Sequence, residues 1–175
     1  MQNQLKPVSE VIYGGLASGK STYALSIIDP KKTFKLGIGN TWLDICRLRL
    51  GSTKRHENEN RQHGIRFKSS TMKTLVRDIE AVKDSTLFID EWTSLCHYSW
   101  FWSRDQILQK VEEIFSAINH NLHIKKVVFV CLDYMPYLPF LLYKKKALWN
   151  SVIFTLANTI TKIEYRIPTY HCERP

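Results

Sequence analysis

The sequence predicts an α/β fold of three layers, a mainly parallel central sheet with helices on both faces. Three observations predict it. Short apolar runs of strand character alternate along the chain with segments of helical spacing. The first run, Val11-Ile12-Tyr13, opens into a glycine-rich turn and then a helix-compatible stretch, Tyr23 to Ile28. Val127 to Leu132 is apolar without interruption, the pattern of a strand buried on both faces.

At 175 residues the chain is expected to form a single domain over 1–175, large enough for one core. Residues 1–10 are a polar lead-in without the apolar centre of a signal peptide. The first strand, its glycine-rich turn and a helix follow, and Asp29-Pro30 stops that helix. Thr33 to Ile38 reads as a second strand and Thr41 to Leu50 as a short helix. Gly51 to Gly64, GSTKRHENENRQHG, is charged and lacks aliphatic bulk, so an exposed polar loop is expected over 51–64. Ile65 to Lys68 alternates as a strand. Ser69-Ser70-Thr71 caps a predicted helix through Lys83, with Met72, Leu75, Val76, Ile79 and Val82 on one face. Thr86 to Glu91 is the next strand with its turn, and Ser103 to Asn119 has amphipathic spacing. Phe140 to Trp149 reads as helix, with Val152 to Leu156 and Lys162 to Ile167 as closing strands.

Two stretches carry chemistry. Gly14-Gly15-Leu16-Ala17-Ser18-Gly19-Lys20-Ser21-Thr22 has the G-x-x-x-x-G-K-S spacing of a phosphate-binding loop, placed between a strand and a helix. Glycines let backbone N–H groups approach phosphate oxygens, and the helix start adds its positive dipole end. Lys20 would reach the β- and γ-phosphates, and the Ser21 hydroxyl would ligate Mg²⁺. Leu87-Phe88-Ile89-Asp90-Glu91 is an apolar strand ending in two acids. Asp90 is the candidate to hold Mg²⁺, usually through water, and Glu91 the candidate to polarise an attacking water or hydroxyl.

On these residues, GGLASGKST and TLFIDE, the chain resembles the P-loop NTPases, in the RecA-like or additional-strand-catalytic-glutamate division. The resemblance implies ATP and Mg²⁺ as cofactors and an extra strand between the two motifs, which IRFK or TFKLGI could supply. It also implies a γ-phosphate sensor after the next strand, at Asp133 or Cys131. Three nearer likenesses stand beside it. Gly14-Gly15-x-x-Ser18-Gly19-Lys20-Ser21 is similar to the loop of adenosylcobinamide kinase, and His56-x-x-x-x-Arg61 could match its guanylylated-histidine segment. SGKST with FIDE resembles thymidine kinase, although no Cys-x-x-Cys pair is present. The order P-loop, FIDEW, helix from Arg104, VVFVCLD resembles the filamentous-phage assembly ATPase and zonula-occludens-toxin family.

Charge and aromatic residues bear on partners. Net charge is +9, from 25 Lys and Arg against 16 Asp and Glu, which favours a polyanion such as nucleic acid. Lys31-Lys32, Lys54-Arg55, Arg61, Arg66-Lys68 and Lys144 to Lys146 are candidates for a phosphate-backbone track, with solvated surface as the alternative. Trp92, Tyr98, Trp100, Phe101 and Trp102 either stack on bases, meet a partner, or pack under the following helix. Tyr134, Tyr137, Phe140 and Tyr143 form a second aromatic group. Arg104 is a candidate arginine finger for a neighbouring subunit, so self-association or a protein partner is expected. His120-x-x-His123 has half the spacing of a zinc site.

Val127 to Tyr143 is apolar and lysine-flanked but short, with Asp133, Pro136 and Pro139 inside it, so no membrane span is expected. Four scattered cysteines fit a reduced cytoplasm, that of the host if the chain is viral. The expected activity is Mg²⁺-dependent ATP hydrolysis coupled to nucleic-acid handling or assembly, possible in a virus. The alternative is a small-molecule or nucleoside kinase, with the 51–64 loop as its lid. A third reading has the loop bind nucleotide as a switch only.

Overall fold

The computed structural model describes residues 6–15, 18–38, 60–133, 140–164 and 167–173. In chain order these give β1 (Val8–Gly14), α1 (Lys20–Ser26), a 3₁₀ turn (Pro30–Lys32), β2 (Thr33–Ile38) and β3 (Arg66–Ser70). Then come α2 (Leu75–Glu80), β4 (Thr86–Asp90), a 3₁₀ turn (Trp92–Ser94), α3 (Leu95–Tyr98) and α4 (Arg104–His120). β5 (Lys126–Leu132), α5 (Phe140–Leu156), β6 (Thr159–Glu164) and β7 (Ile167–Glu173) complete them.

Among the described residues one seven-stranded sheet has the order β3-β2-β4-β5-β1-β6-β7. Every neighbouring pair is parallel except β6–β7. Alternation along the central strands separates two cores. Val11, Leu87, Ile89, Val127 and Phe129 face the larger one, which α2, α3, α4 and α5 cover. Ile12, Phe88, Val128 and Val130 face the smaller one with Ala24 of α1. Helices on both faces make the three-layer α/β architecture, and period-two burial of each strand is what requires them.

The order corrects one expectation. The strand lying between β1 and β4 is β5, VVFVC, whereas TFKLGI and IRFK form β2 and β3 on the far side of β4. β5 is the run most able to fill a central slot, since Val127 to Cys131 are all buried.

Other differences are local. Val152 to Leu156 is the end of α5 and not a strand. Trp149 and Ile153, four residues apart, enter the same core, and that packing outweighs the β-branched preference of the segment. The closing strands are therefore β6 and β7. Only the middle of the predicted 71–83 helix is helical. Thr71 to Thr74 form a turn, with Leu75 N donating to Thr71 O at 2.9 Å, and Ser70 bonds Asp78 at 2.8 Å instead of capping.

Of the 51–64 segment, 51–59 lies outside the described residues, as does the helix expected at 41–50. Its end is ordered as a helix terminus. Gly64, at φ 69°, takes the left-handed position, Ile65 N donates to Asn60 O at 2.9 Å and Gly64 N to Arg61 O at 3.0 Å. That pair of bonds is a Schellman closure. Asn60 is buried there, which corrects a wholly exposed loop. Among the described residues no helix is long and apolar enough to cross a membrane.

Candidate functional site

The carboxyl edge of the parallel strands gathers the predicted residues. Gly14 ends β1 and Asp90 ends β4, while Leu132, opposite Gly14, ends β5 between them. Gly14 is required by close approach. A Cβ there would lie 2.3 Å from the Ile163 carbonyl oxygen of β6 and 2.9 Å from Ser18 Oγ. A Cβ on Gly15 meets nothing within 4 Å. Gly14→Ala is therefore expected to lower stability by about 1–3 kcal/mol, because a backbone carbonyl must shift. Gly15→Ala should stay within about 0.5 kcal/mol. Paired denaturant titrations check the contrast; equal losses would mean that the β1–β6 contact is not what demands glycine.

Gly19 caps α1 at φ 93°, a conformation that disfavours a side chain, and Tyr23 N donates to Gly19 O at 2.9 Å. Lys20 opens the helix but is buried, only 7% exposed. Its Nζ donates to Gly15 O and, at 3.4 Å, to Ser18 Oγ, so the chain folds back over its own loop. Burial pushes the Lys20 ammonium below its usual pKa, opposed by the carboxylates of Asp90, Glu91 and Asp133 and by the neighbouring Cys131. Those four lie at the ends of β4 and β5, so Lys20 stands before both acids. Ser21 is half-buried and Thr22 exposed in the first turn of α1; Leu16 and Ala17 lie outside the described residues.

Asp90 sits on the α1 face of the sheet, since Phe88, two residues earlier, belongs to the smaller core. It is 7% exposed and not alone. Lys35 Nζ of β2 lies 2.8 Å from Asp90 Oδ2, with the lysine side chain 4% exposed. Register explains the contact. Lys35 is directly opposite Phe88 and diagonal to Asp90, and its Nζ lies 4.9 Å from the Phe88 ring centre. Asp90 Oδ1 accepts the Glu91 amide at 3.1 Å. Glu91 itself is exposed and holds φ 60°, ψ 37°, the one non-glycine residue with positive φ among those described.

The end of β5 is tied to both neighbours. Asp133 N donates to Gly14 O at 3.0 Å, and Leu132 N to Thr93 Oγ1 at 2.8 Å. Asn150 of α5 donates to Leu132 O at 3.2 Å and accepts from Thr93 Oγ1 at 3.2 Å. Lys146, one turn earlier on α5, donates to Asp133 O. Of the two sensor candidates, Asp133 is exposed at this edge. Cys131 is fully buried in the larger core, and burial raises its thiol to about 12, so it presents no polar group to a phosphate.

Comparison with models of protein families and with curated proteins finds no match to this chain.

The aromatic stretch divides. Trp92 is fully buried, its ring 5.2 Å from Phe129 and 5.5 Å from Trp149, and its Nε1 donates to Trp149 O at 2.9 Å. Tyr98 and Trp102 pack against the same core, whereas Trp100 is 41% and Phe101 93% exposed. Tyr134 and Tyr137 lie outside the described residues, and Tyr143 is half-buried. Much of the expected basic track is engaged within the chain. Arg66 pairs with Asp84, Lys68 with Asp78 at 2.8 Å, and Lys145 donates to Ser99 O and Trp102 O at 2.6 and 2.5 Å. Lys54, Arg55 and His56 lie outside the described residues; Arg61 and Arg104 are exposed.

His120 and His123 line a groove of about 330 Å³ with Glu80, Ala117, Asn121 and Leu122, at the amino edge away from Lys20 and Asp90. Sequence reasoning missed Lys35 and the burial of Lys146. A signal existed for the first, a lone lysine facing the centre of an otherwise buried strand.

Proposed function

We propose that this chain is a Mg²⁺-dependent ATPase of the P-loop kind, its turnover coupled to nucleic-acid handling or macromolecular assembly. One observation carries the reading. A buried lysine on a glycine-closed loop faces, across a single intervening strand, an aspartate on the helix side and a glutamate held in a left-handed turn. Lys20 is suited to the β- and γ-phosphates, and the N-terminus of α1 to their charge. The Ser21 hydroxyl and Asp90 carboxylate are hard oxygen donors of the type magnesium prefers, and Asp90 lies on the face that α1 occupies. A metal bound there supplies charge neutralisation at the phosphates. Glu91 accepts a proton from water as the water oxygen attacks the γ-phosphorus, and ADP leaves.

Coupling to a polyanion is supported by the +9 charge and by the exposed rings of Trp100 and Phe101. The test is phosphate release from ATP or GTP with Mg²⁺, alone and with single- or double-stranded DNA, beside Lys20→Ala. Turnover that rises several-fold with DNA and is lost in the variant is expected. Transfer of the γ-phosphate to a nucleoside without DNA stimulation would replace this reading with the kinase. Nucleotide binding without turnover would leave only the switch.

A further inference from the structure

We propose that Lys146 is a second phosphate-binding lysine of this site, reaching the terminal phosphate of a bound nucleoside triphosphate from α5. The inference rests on the nucleotide reading of the Gly14–Ser21 loop. Among the described residues three lysines are buried, Lys20 at 7%, Lys35 at 3% and Lys146 at 8% exposure. Lys35 is accommodated in the usual way, against the Asp90 carboxylate. The other two are not. Among the described residues Lys20 donates to a carbonyl and a hydroxyl, and Lys146 to the Asp133 carbonyl, and neither forms an ion pair with a carboxylate.

Burying an ammonium without a counter-charge is expensive, and the expense falls away when an anion arrives. The sequence motif already gives Lys20 its anion. Lys146 likewise has no carboxylate at ion-pair distance, and the Asp133 carboxylate, acting from further off, meets only part of the deficit, so an anion is called for there too. Burial lowers the pKa of both ammoniums, and in both the Asp133 carboxylate opposes the shift. Both lysines bind backbone at the joined ends of β5 and β1: Lys146 Nζ donates to Asp133 O, Asp133 N to Gly14 O at 3.0 Å, and Lys20 Nζ to the carbonyl of the next residue, Gly15.

Placement selects the terminal phosphate. β5 lies between the loop strand and the acid strand, so its end stands between Lys20 and Asp90-Glu91. An ammonium has three donors; beside the carbonyl, Nζ meets the Tyr143 ring at 5.8 Å, which leaves donors for phosphate oxygens. The lysine run read from sequence as a surface track thus has its third member buried against the end of β5, reaching it from the face opposite α1.

The experiment compares ATP and ADP affinity, with Mg²⁺, for wild type, Lys146→Met and Lys146→Arg by calorimetry, with melting of each protein without nucleotide. Lys146→Met should weaken ATP at least tenfold and change ADP by less than twofold, with Lys146→Arg in between. Its melting temperature without nucleotide should not fall, because the change removes a buried charge that no ion pair holds. A lysine that only braces β5 would instead lower melting and leave the ATP-to-ADP ratio as it was, which overturns the proposal. If Lys146→Met does not fold, the same ratio on Lys146→Gln decides. Wild-type protein that binds neither ATP, GTP nor tripolyphosphate would overturn the loop reading as well, whereas ATP binding with an unchanged ratio overturns only the role of Lys146.

Discussion

Replacing Glu91 by glutamine is expected to leave the protein folded and to cut ATP turnover by about 10²–10⁴-fold, the usual contribution of a positioned general base. Two features single this residue out. It follows the buried Asp90 directly, and its backbone is left-handed at φ 60°. A non-glycine residue pays about 1–2 kcal/mol for that conformation. The fold could have avoided the cost with glycine, so retaining a carboxylate there points to work for the side chain.

Glu91→Gly separates strain from chemistry. Relief of about 1–2 kcal/mol is offset by about 0.5–1 kcal/mol from the freer unfolded glycine. The net expectation is a change between about 0 and a gain of about 1.5 kcal/mol together with the same loss of turnover. Denaturant midpoints and phosphate release, read on both variants, check this. Unchanged turnover in Glu91→Gln would remove the base assignment. A destabilised Glu91→Gly would show that the side chain, and not the turn, holds the 3₁₀ segment at Trp92–Ser94.

How much of this was legible in sequence depends on whether the determining contact is local. The strand and helix that flank the Gly14–Ser21 stretch, and the strand ending at Asp90, were readable because their signals lie in consecutive residues. α4 was readable from its periodic apolar face, and its start is fixed by an equally local device, Ser103 and Gln106 exchanging both capping bonds at 3.2 and 2.7 Å. The order of strands was not. TFKLGI, IRFK and VVFVC are all acceptable parallel strands, and only packing of whole layers selects the last for the slot beside β1. Nor could α5 be bounded, since Val152 to Leu156 has strand composition and becomes helix by extending the Trp149–Ile153 face into the core. Among the site residues, Lys35 and Lys146 were hidden for the same reason. Their partners, Asp90 and Asp133, are not neighbours in sequence, and the one local signal was the position of Lys35 inside an apolar strand.

Lys35→Met should lower stability by about 3–5 kcal/mol, the cost of leaving one member of a buried pair without its partner. Methionine nearly preserves the volume, so little of the loss can come from a cavity. The contact over Phe88 accounts for about 0.5–1 kcal/mol at most. What remains is the Asp90 carboxylate, its side chain 9% exposed, stripped of the ammonium at 2.8 Å. Burial decides the size. Lys32 and Asp29, 71% and 50% exposed at 3.7 Å, form the control pair, and Lys32→Met there should cost under about 0.5 kcal/mol. Removing both charges, in Lys35→Met with Asp90→Asn, should recover a large share of the loss, because no unpaired ion is then buried. Urea unfolding of wild type, Lys35→Met, Asp90→Asn and the double variant gives the coupling energy directly. A coupling near zero would mean that Asp90 is held by its own strand and the Glu91 amide, and that Lys35 is buried for packing alone. A large coupling would make β2, which carries no part of either motif, the element that fixes the position of Asp90.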